Sequence, residues 1–207
     1  NELSVYFAKA DYLLDIHSYD IGGKPFVFLD ADSPQDQRLA SMTGVEEALC
    51  DFGQAYANAG IEQSKMASMG TREYLGSLGG HGLTLECGQH NNAQSIAVAW
   101  RAILGVLYHL GLADISDKLA NNIPPLTEAE DMACTRTTEV VYKTRPGRFL
   151  ANWGHLETVA PSTPIAEYTD GARIHAPAHE TRLIMPKDTA PVGEEWIYFG
   201  RAAQFES

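Results

Sequence analysis

The chain is 207 residues long, 44% apolar, with a formal net charge of -12, which is enough to bury a core in one large domain or two smaller ones. Its acidic balance and its sparse, scattered Lys and Arg exclude a nucleic-acid backbone as partner. No stretch approaches the roughly 20 apolar residues that span a bilayer, and no basic segment leads into an apolar signal core, so neither a membrane nor export is expected.

In chain order, Glu2 to Ala10 reads as the tail of a helix already under way, and because the first residue is Asn1 and not Met, an upstream segment is expected. Tyr12-Leu13-Leu14-Asp15-Ile16 is a continuous apolar run of the kind found in a strand covered on both faces, and it ends on His17-Ser18-Tyr19. A Gly22-Gly23-Lys24-Pro25 loop leads to a second strand, Phe26 to Leu29, closed by the polar stretch Asp30 to Asp36. Gln37 to Met42 and Val45 to Ala59 read as helices, the second stopped by Gly60. Met66 to His81, with Gly70, Gly76, Gly79 and Gly80, reads as a loop shaping a pocket mouth.

The loop runs into a further strand, Leu83-Thr84-Leu85-Glu86-Cys87-Gly88. Asn92 then caps a helix whose apolar stripe is Ile96, Ala99, Trp100, Ile103, Leu104, Leu107 and Leu110, ended by Gly111. From Asp114 to Thr135 the Asn, Pro and acidic residues, Glu128, Glu130 and Asp131 among them, suggest a linker or a short surface helix. Short β-like pieces follow: Glu139 to Tyr142, Arg173 to His175, Arg182 to Met185 and Trp196 to Phe199. They argue for a small all-β barrel or sandwich.

His17 and Glu86 each stand at the end of an apolar run, where open α/β sheets gather ligands and catalytic groups. If the two runs are neighbouring parallel strands, a neutral imidazole able to hold Zn²⁺ lies beside a carboxylate able to take a proton from bound water. The plain alternatives are a hydrogen-bonded structural histidine and a solvated glutamate. Asp15 falls on the same side of its strand as His17; it is either a carboxylate orienting the histidine or a capping residue. Cys50, Cys87 and Cys134 are odd in number and lack CxxC spacing, which fits a reducing, cytoplasmic setting and points to neither a disulfide framework nor a thiolate zinc site. Cys87, beside Glu86, is a candidate nucleophile or, more commonly, a packed thiol.

The segment Asp15-Ile16-His17-Ser18-Tyr19, followed by Gly82 to Gly88 and a helix ending His109-Leu110-Gly111-Leu112, resembles the succinylglutamate desuccinylase and aspartoacylase family of the zinc carboxypeptidase superfamily. The resemblance covers residues 1–112. The later segments Phe149 to Glu157, Pro164 to Gly171 and His175-Ala176-Pro177 up to Glu194 look like that family's β-rich C-terminal domain. It implies an α/β fold: a mixed or parallel sheet flanked by helices, partial and zinc carboxypeptidase-like, followed by a small barrel-like all-β domain. The expected division is 1–113 for the rear part of the catalytic domain, 114–135 for a linker and 136–207 for the β-rich domain.

The same resemblance makes His17 the last of three ligands to one zinc ion and Glu86 the general base and acid. The family carries its other two ligands on an upstream His-x-x-Glu, and no such motif occurs here. Both are expected from a segment outside this chain. The implied activity is cleavage of an amide bond of a small N-acylated amino acid; a carboxypeptidase-like peptidase, or a metal-free binding protein that keeps the fold, are the alternatives. Family substrates carry carboxylates, so Arg72 and Lys65 are candidate clamps or merely exposed loop cations. Tyr19 and His90 either face the substrate or serve packing and a helix-start hydrogen bond. A homo-oligomer stays open. His175 and His179 are four apart, but Pro177 spoils a shared helix face and a turn is expected.

Overall fold

A computed structural model describes residues 3–59, 70–114, 117–126 and 131–205. Lys65, Met66, Glu128 and Glu130 lie outside the described residues. The first half holds α1 (Ser4–Phe7), β1 (Tyr12–Tyr19), β2 (Phe26–Phe28), α2 (Pro34–Ser41), β3 (Glu47–Cys50), α3 (Phe52–Asn58), α4 (Thr71–Ser77), β4 (His81–Gln89) and α5 (Ala93–His109). Then come α6 (Asp117–Ala120), β5 (Ala133–Tyr142), β6 (Gly147–Phe149), β7 (Glu157–Val159), β8 (Pro164–Tyr168), β9 (Arg173–His175), β10 (Thr181–Ile184) and β11 (Glu195–Ala203).

Eight strands form one mixed sheet in the order β1-β4-β2-β3-β5-β11-β10-β7. The pairs β1/β4, β2/β3 and β3/β5 are parallel; β2/β4, β5/β11, β11/β10 and β10/β7 are antiparallel. A second, three-stranded antiparallel sheet has the order β6-β8-β9. The mixed sheet with flanking helices matches the expected α/β class. Among the described residues the β-rich part closes no barrel: β5 begins at Ala133 and carries the large sheet without interruption from β3 to β11.

Three local expectations need correction. Residues 47–50, read as helical, are strand β3, because Ala48, Leu49 and Cys50 are buried between two strands and tertiary burial overrides the helical leaning of Glu, Ala and Leu. The glycine-rich stretch before β4 contains helix α4, started at Gly70 and anchored by buried Leu75. Helix α5 forms as expected, with Asn92 accepting from the Gln94 N–H and Gly111 adopting φ +67°. Its buried face is rotated from the expected stripe, however. Ala102, Leu104, Gly105 and Val106 are buried, whereas Ile96 is 75% and Trp100 46% exposed. Gly105 sets this rotation: a Cβ there would lie 2.0 Å from the Met42 carbonyl oxygen, so only the glycine face lets the helix approach so closely.

The β4 face toward α5 contributes Leu83, Leu85 and Cys87 to an aliphatic core with Leu39, Ala48, Ala102 and Val106. On the other face Tyr19, Phe26, Leu49 and Tyr198 form an aromatic core. No helix among the described residues is long and apolar enough to cross a membrane.

Candidate active site

Strands β1 and β4 pair in parallel with His17 directly opposite Glu86 and Asp15 opposite Thr84. Directly paired residues share a face of the sheet, so Asp15, His17 and Glu86 lie together, away from the α5 side. Phe26 of β2 is paired with Glu86 from the other flank and places an aromatic ring on the same face. The ladder shifts between His17 and Tyr19, so that Tyr19 pairs with Gln89. Gly88 takes up that irregularity at φ +114°, a conformation L side chains rarely adopt. The end of the strand pair is thus bent where its polar residues gather.

His17 Nε2 lies 3.1 Å from Asp15 Oδ1, and the His17 side chain is half exposed. Thr71, at the start of α4, donates its hydroxyl to the other Asp15 oxygen, which fixes the carboxylate that orients the imidazole. Glu86 is only 8% exposed, and its Oε2 has no hydrogen-bond partner. Burial pushes the Glu86 carboxyl up to about 7, with His17 opposing the rise and Asp15 adding to it. A carboxyl titrating near neutrality can both accept and return a proton.

The remaining candidates divide. Ser18 Oγ and His90 Nδ1 are 2.8 Å apart, and both line a cavity of about 360 Å³ beside His17, Cys87 and Ile96. Tyr19 is buried, its hydroxyl donating to the Lys24 carbonyl at 2.8 Å, and burial together with Glu86 raises its phenol to about 12. Arg72 is not brought to His17 and Glu86: it packs at Gly82, at the start of β4, with its guanidinium paired to Glu73. Burial, then Glu86, pushes Cys87 up to about 11, which suits a packed thiol more than a nucleophile. His175 and His179 stand outside helices, on exposed chain at and after the end of β9.

Two features carried no signal in the sequence. His155, from the β-rich part, packs its ring in tilted contacts 4.6 Å from Phe26 and 5.8 Å from Tyr19, and its Nδ1 accepts the Met185 N–H at 3.1 Å. Burial lowers its pKa to about 4. It also lines a cleft of about 690 Å³ between Asp20-Ile21-Gly22 and residues 186–189, bridged by Lys187 Nζ to Asp20 Oδ2 at 3.0 Å.

A zinc site needs three protein donors. Among the described residues no group of three His, Cys, Asp or Glu side chains is placed to hold a metal; these residues offer the His17 imidazole with Asp15 behind it and do not by themselves make up the ligand set.

No protein-family sequence model matches the chain, and no curated protein does. Solved structures do match. A succinylglutamate desuccinylase/aspartoacylase from Rhodobacter sphaeroides aligns at TM-score 0.66 and 15% identity over 97% of this chain and 61% of its own. Succinylglutamate desuccinylase from Vibrio parahaemolyticus aligns at TM-score 0.65 and 13% identity over 98% and 59%. The product-bound ectoine utilization protein EutE (DoeB) from Ruegeria pomeroyi aligns at 0.61 and 16% over 96% and 62%. The chain therefore has the fold of the succinylglutamate desuccinylase/aspartoacylase structures and spans about three fifths of their length.

Proposed function

We propose that these residues belong to a hydrolase that cleaves the amide bond of a small N-acylated amino acid, with Glu86 as proton shuttle and His17 as one of three ligands to a zinc ion. The in-register pairing of His17 with Glu86 at the carboxyl end of β1 and β4 carries this reading, and the fold shared with desuccinylase structures supports it. The two further zinc donors would come from outside these 207 residues. When bound, the metal would acidify a water and polarise the substrate carbonyl. Glu86 takes the proton of the attacking water and returns it to the departing amine. Asp15 and Thr71 hold the His17 ring in place. The cleft beside Asp20 offers Lys187 as a cation for an acidic substrate, and the setting is cytoplasmic.

The test uses the longest natural chain that contains these residues, assayed for amine release from N-acetyl and N-succinyl amino acids against short peptides. Glu86→Gln lowers kcat by about 10²–10⁴-fold, the usual yield of general acid–base catalysis, with zinc content by elemental analysis unchanged. His17→Ala lowers the zinc content. Wild-type turnover by Glu86→Gln overturns the assignment, and peptide cleavage in place of deacylation selects the peptidase reading. A full-length chain without zinc or turnover would instead establish a binding protein that keeps the fold.

A further inference from the structure

Cys50 and Cys134 are 84 positions apart in the chain, yet their sulfurs approach to 3.1 Å. Both are buried, at 0% and 3% exposure. Cys50 ends β3 and Cys134 is the second residue of β5; in the parallel ladder Ala48 pairs with Cys134 and Cys50 with Arg136. The two thiols are therefore diagonal neighbours on one face of the sheet. The approach is closer than the roughly 3.6 Å at which two unbonded sulfurs touch, and a disulfide needs about 1 Å more.

The surroundings set the two sulfurs apart. The contact with Cys50 holds the Cys134 thiol below its ordinary range against the effect of burial; Arg136 and Arg182 act in the same direction and Asp51 against it. The contact with Cys134, then burial, pushes Cys50 up. Arg136 is pinned by Asp51 Oδ2 at 2.8 Å, and Arg182 by the Thr135 hydroxyl at 2.8 Å, so both guanidinium groups are fixed near the pair. Cys50 is followed directly by Asp51, which is partly exposed and sits at φ +62° at the strand end.

We propose that Cys50 and Cys134 are an oxidative modification site, closing to an intrachain disulfide when the protein meets a hydroperoxide. The Cys134 thiolate attacks the peroxide oxygen, the O–O bond breaks, and the alcohol or water product leaves with a proton. The resulting Cys134 sulfenic acid is attacked by the Cys50 sulfur; the S–O bond breaks, and hydroxide leaves as water with the Cys50 proton. Two thiols lose two electrons and one peroxide gains them. The bond would fall on the one pairing in the large sheet that joins β1-β4-β2-β3 to β5-β11-β10-β7. Closing a loop of that length stabilises the fold by restricting the unfolded chain.

The experiment treats the full chain with hydrogen peroxide and follows intact mass, non-reducing peptide maps and thermal unfolding. Oxidation removes 2 hydrogens (about 2 Da, two thiols giving one disulfide), links the peptide carrying Cys50 to that carrying Cys134, and raises Tm by roughly 5–10 °C. Dithiothreitol reverses all three. Cys50→Ser and Cys134→Ser each abolish the link, whereas Cys87→Ser keeps it. The peptide map of the wild-type chain needs no variant to fold. Two free thiols at positions 50 and 134 after treatment, a link that involves Cys87, or oxygen addition in place of hydrogen loss overturns the proposal.

Discussion

The β1/β4 seam and the β3/β5 seam are both parallel pairings in one sheet, and they are put to opposite uses. β3 has a strand on each side, and three of its four residues are buried. β1 is the last strand of its sheet among the described residues, and only Tyr19 of its eight residues is buried. The open seam leaves the polar side chains of His17 and Asp15 partly exposed, while the closed seam joins the two halves of the sheet through buried residues. The difference teaches where sequence changes will be felt as stability and where as function.

The largest expected contrast is in packing. Leu49→Ala on β3 removes a side chain that is 1% exposed in the aromatic core and costs about 2–5 kcal/mol, the transfer loss plus the cavity. Ile16→Ala on β1 removes one that is 38% exposed and costs about 1 kcal/mol or less. Urea unfolding of the two variants measures both. Equal costs would mean that β1 is covered in the native protein and that the seams are alike.

His155 tests whether the β-rich part and the β1 end form one buried unit. Its pKa, lowered to about 4 by burial against Tyr19 and Phe26, means that the native state keeps it neutral while the unfolded chain takes up a proton below the ordinary value of about 6.5. The stability it contributes is complete above that value and is lost as pH falls toward 4. From pH 7 to pH 5 the loss is about 2 kcal/mol. Unfolding midpoints at the two pH values, for the wild type and His155→Leu, isolate it: the variant shows a slope flatter by that amount. An unchanged slope would show that His155 is solvated and the two regions are packed loosely there.

Much of this was legible because local pattern and tertiary environment agree. The runs ending at His17 and Glu86 both form strands, and their lengths bring the two polar ends level in a parallel pair; the continuous apolar run of β1, read as covered on both faces, instead lies at the sheet edge with only Tyr19 buried. Asn92 and Gly111 carry capping chemistry that needs no tertiary context. Where context decides, the sequence misleads. Glu47-Ala48-Leu49-Cys50 has helical propensity and becomes a central strand. Ile96 and Trp100 are apolar and stay exposed, because close approach at Gly105 fixes which face of α5 packs. The Cys50–Cys134 contact and the placement of His155 both depend on a sheet order that joins residues far apart in sequence, and no spacing rule encodes that order.

The smallest effect concerns an ion pair that ties the chain just after β1 to the β-rich part. Lys187 reaches Asp20 at 3.0 Å, but the two side chains are 38% and 52% exposed. The hydrogen bond from Lys187 holds the Asp20 carboxyl below its ordinary range, against a smaller opposing effect of burial. A lowered carboxyl contributes stability above its unfolded pKa and loses it as pH falls through the folded one, so the coupling should be present at pH 7 and gone in strong acid. Solvent screens a pair this open, and a double-mutant cycle with Asp20→Asn and Lys187→Gln should give about 0.2–1 kcal/mol, shrinking further as salt shortens the reach of exposed charges. A coupling of more than about 2 kcal/mol, insensitive to salt, belongs to a desolvated pair; it would mean that the cleft closes over Asp20 and Lys187 in solution, and that the open seam is less open at its polar end than its exposed residues indicate.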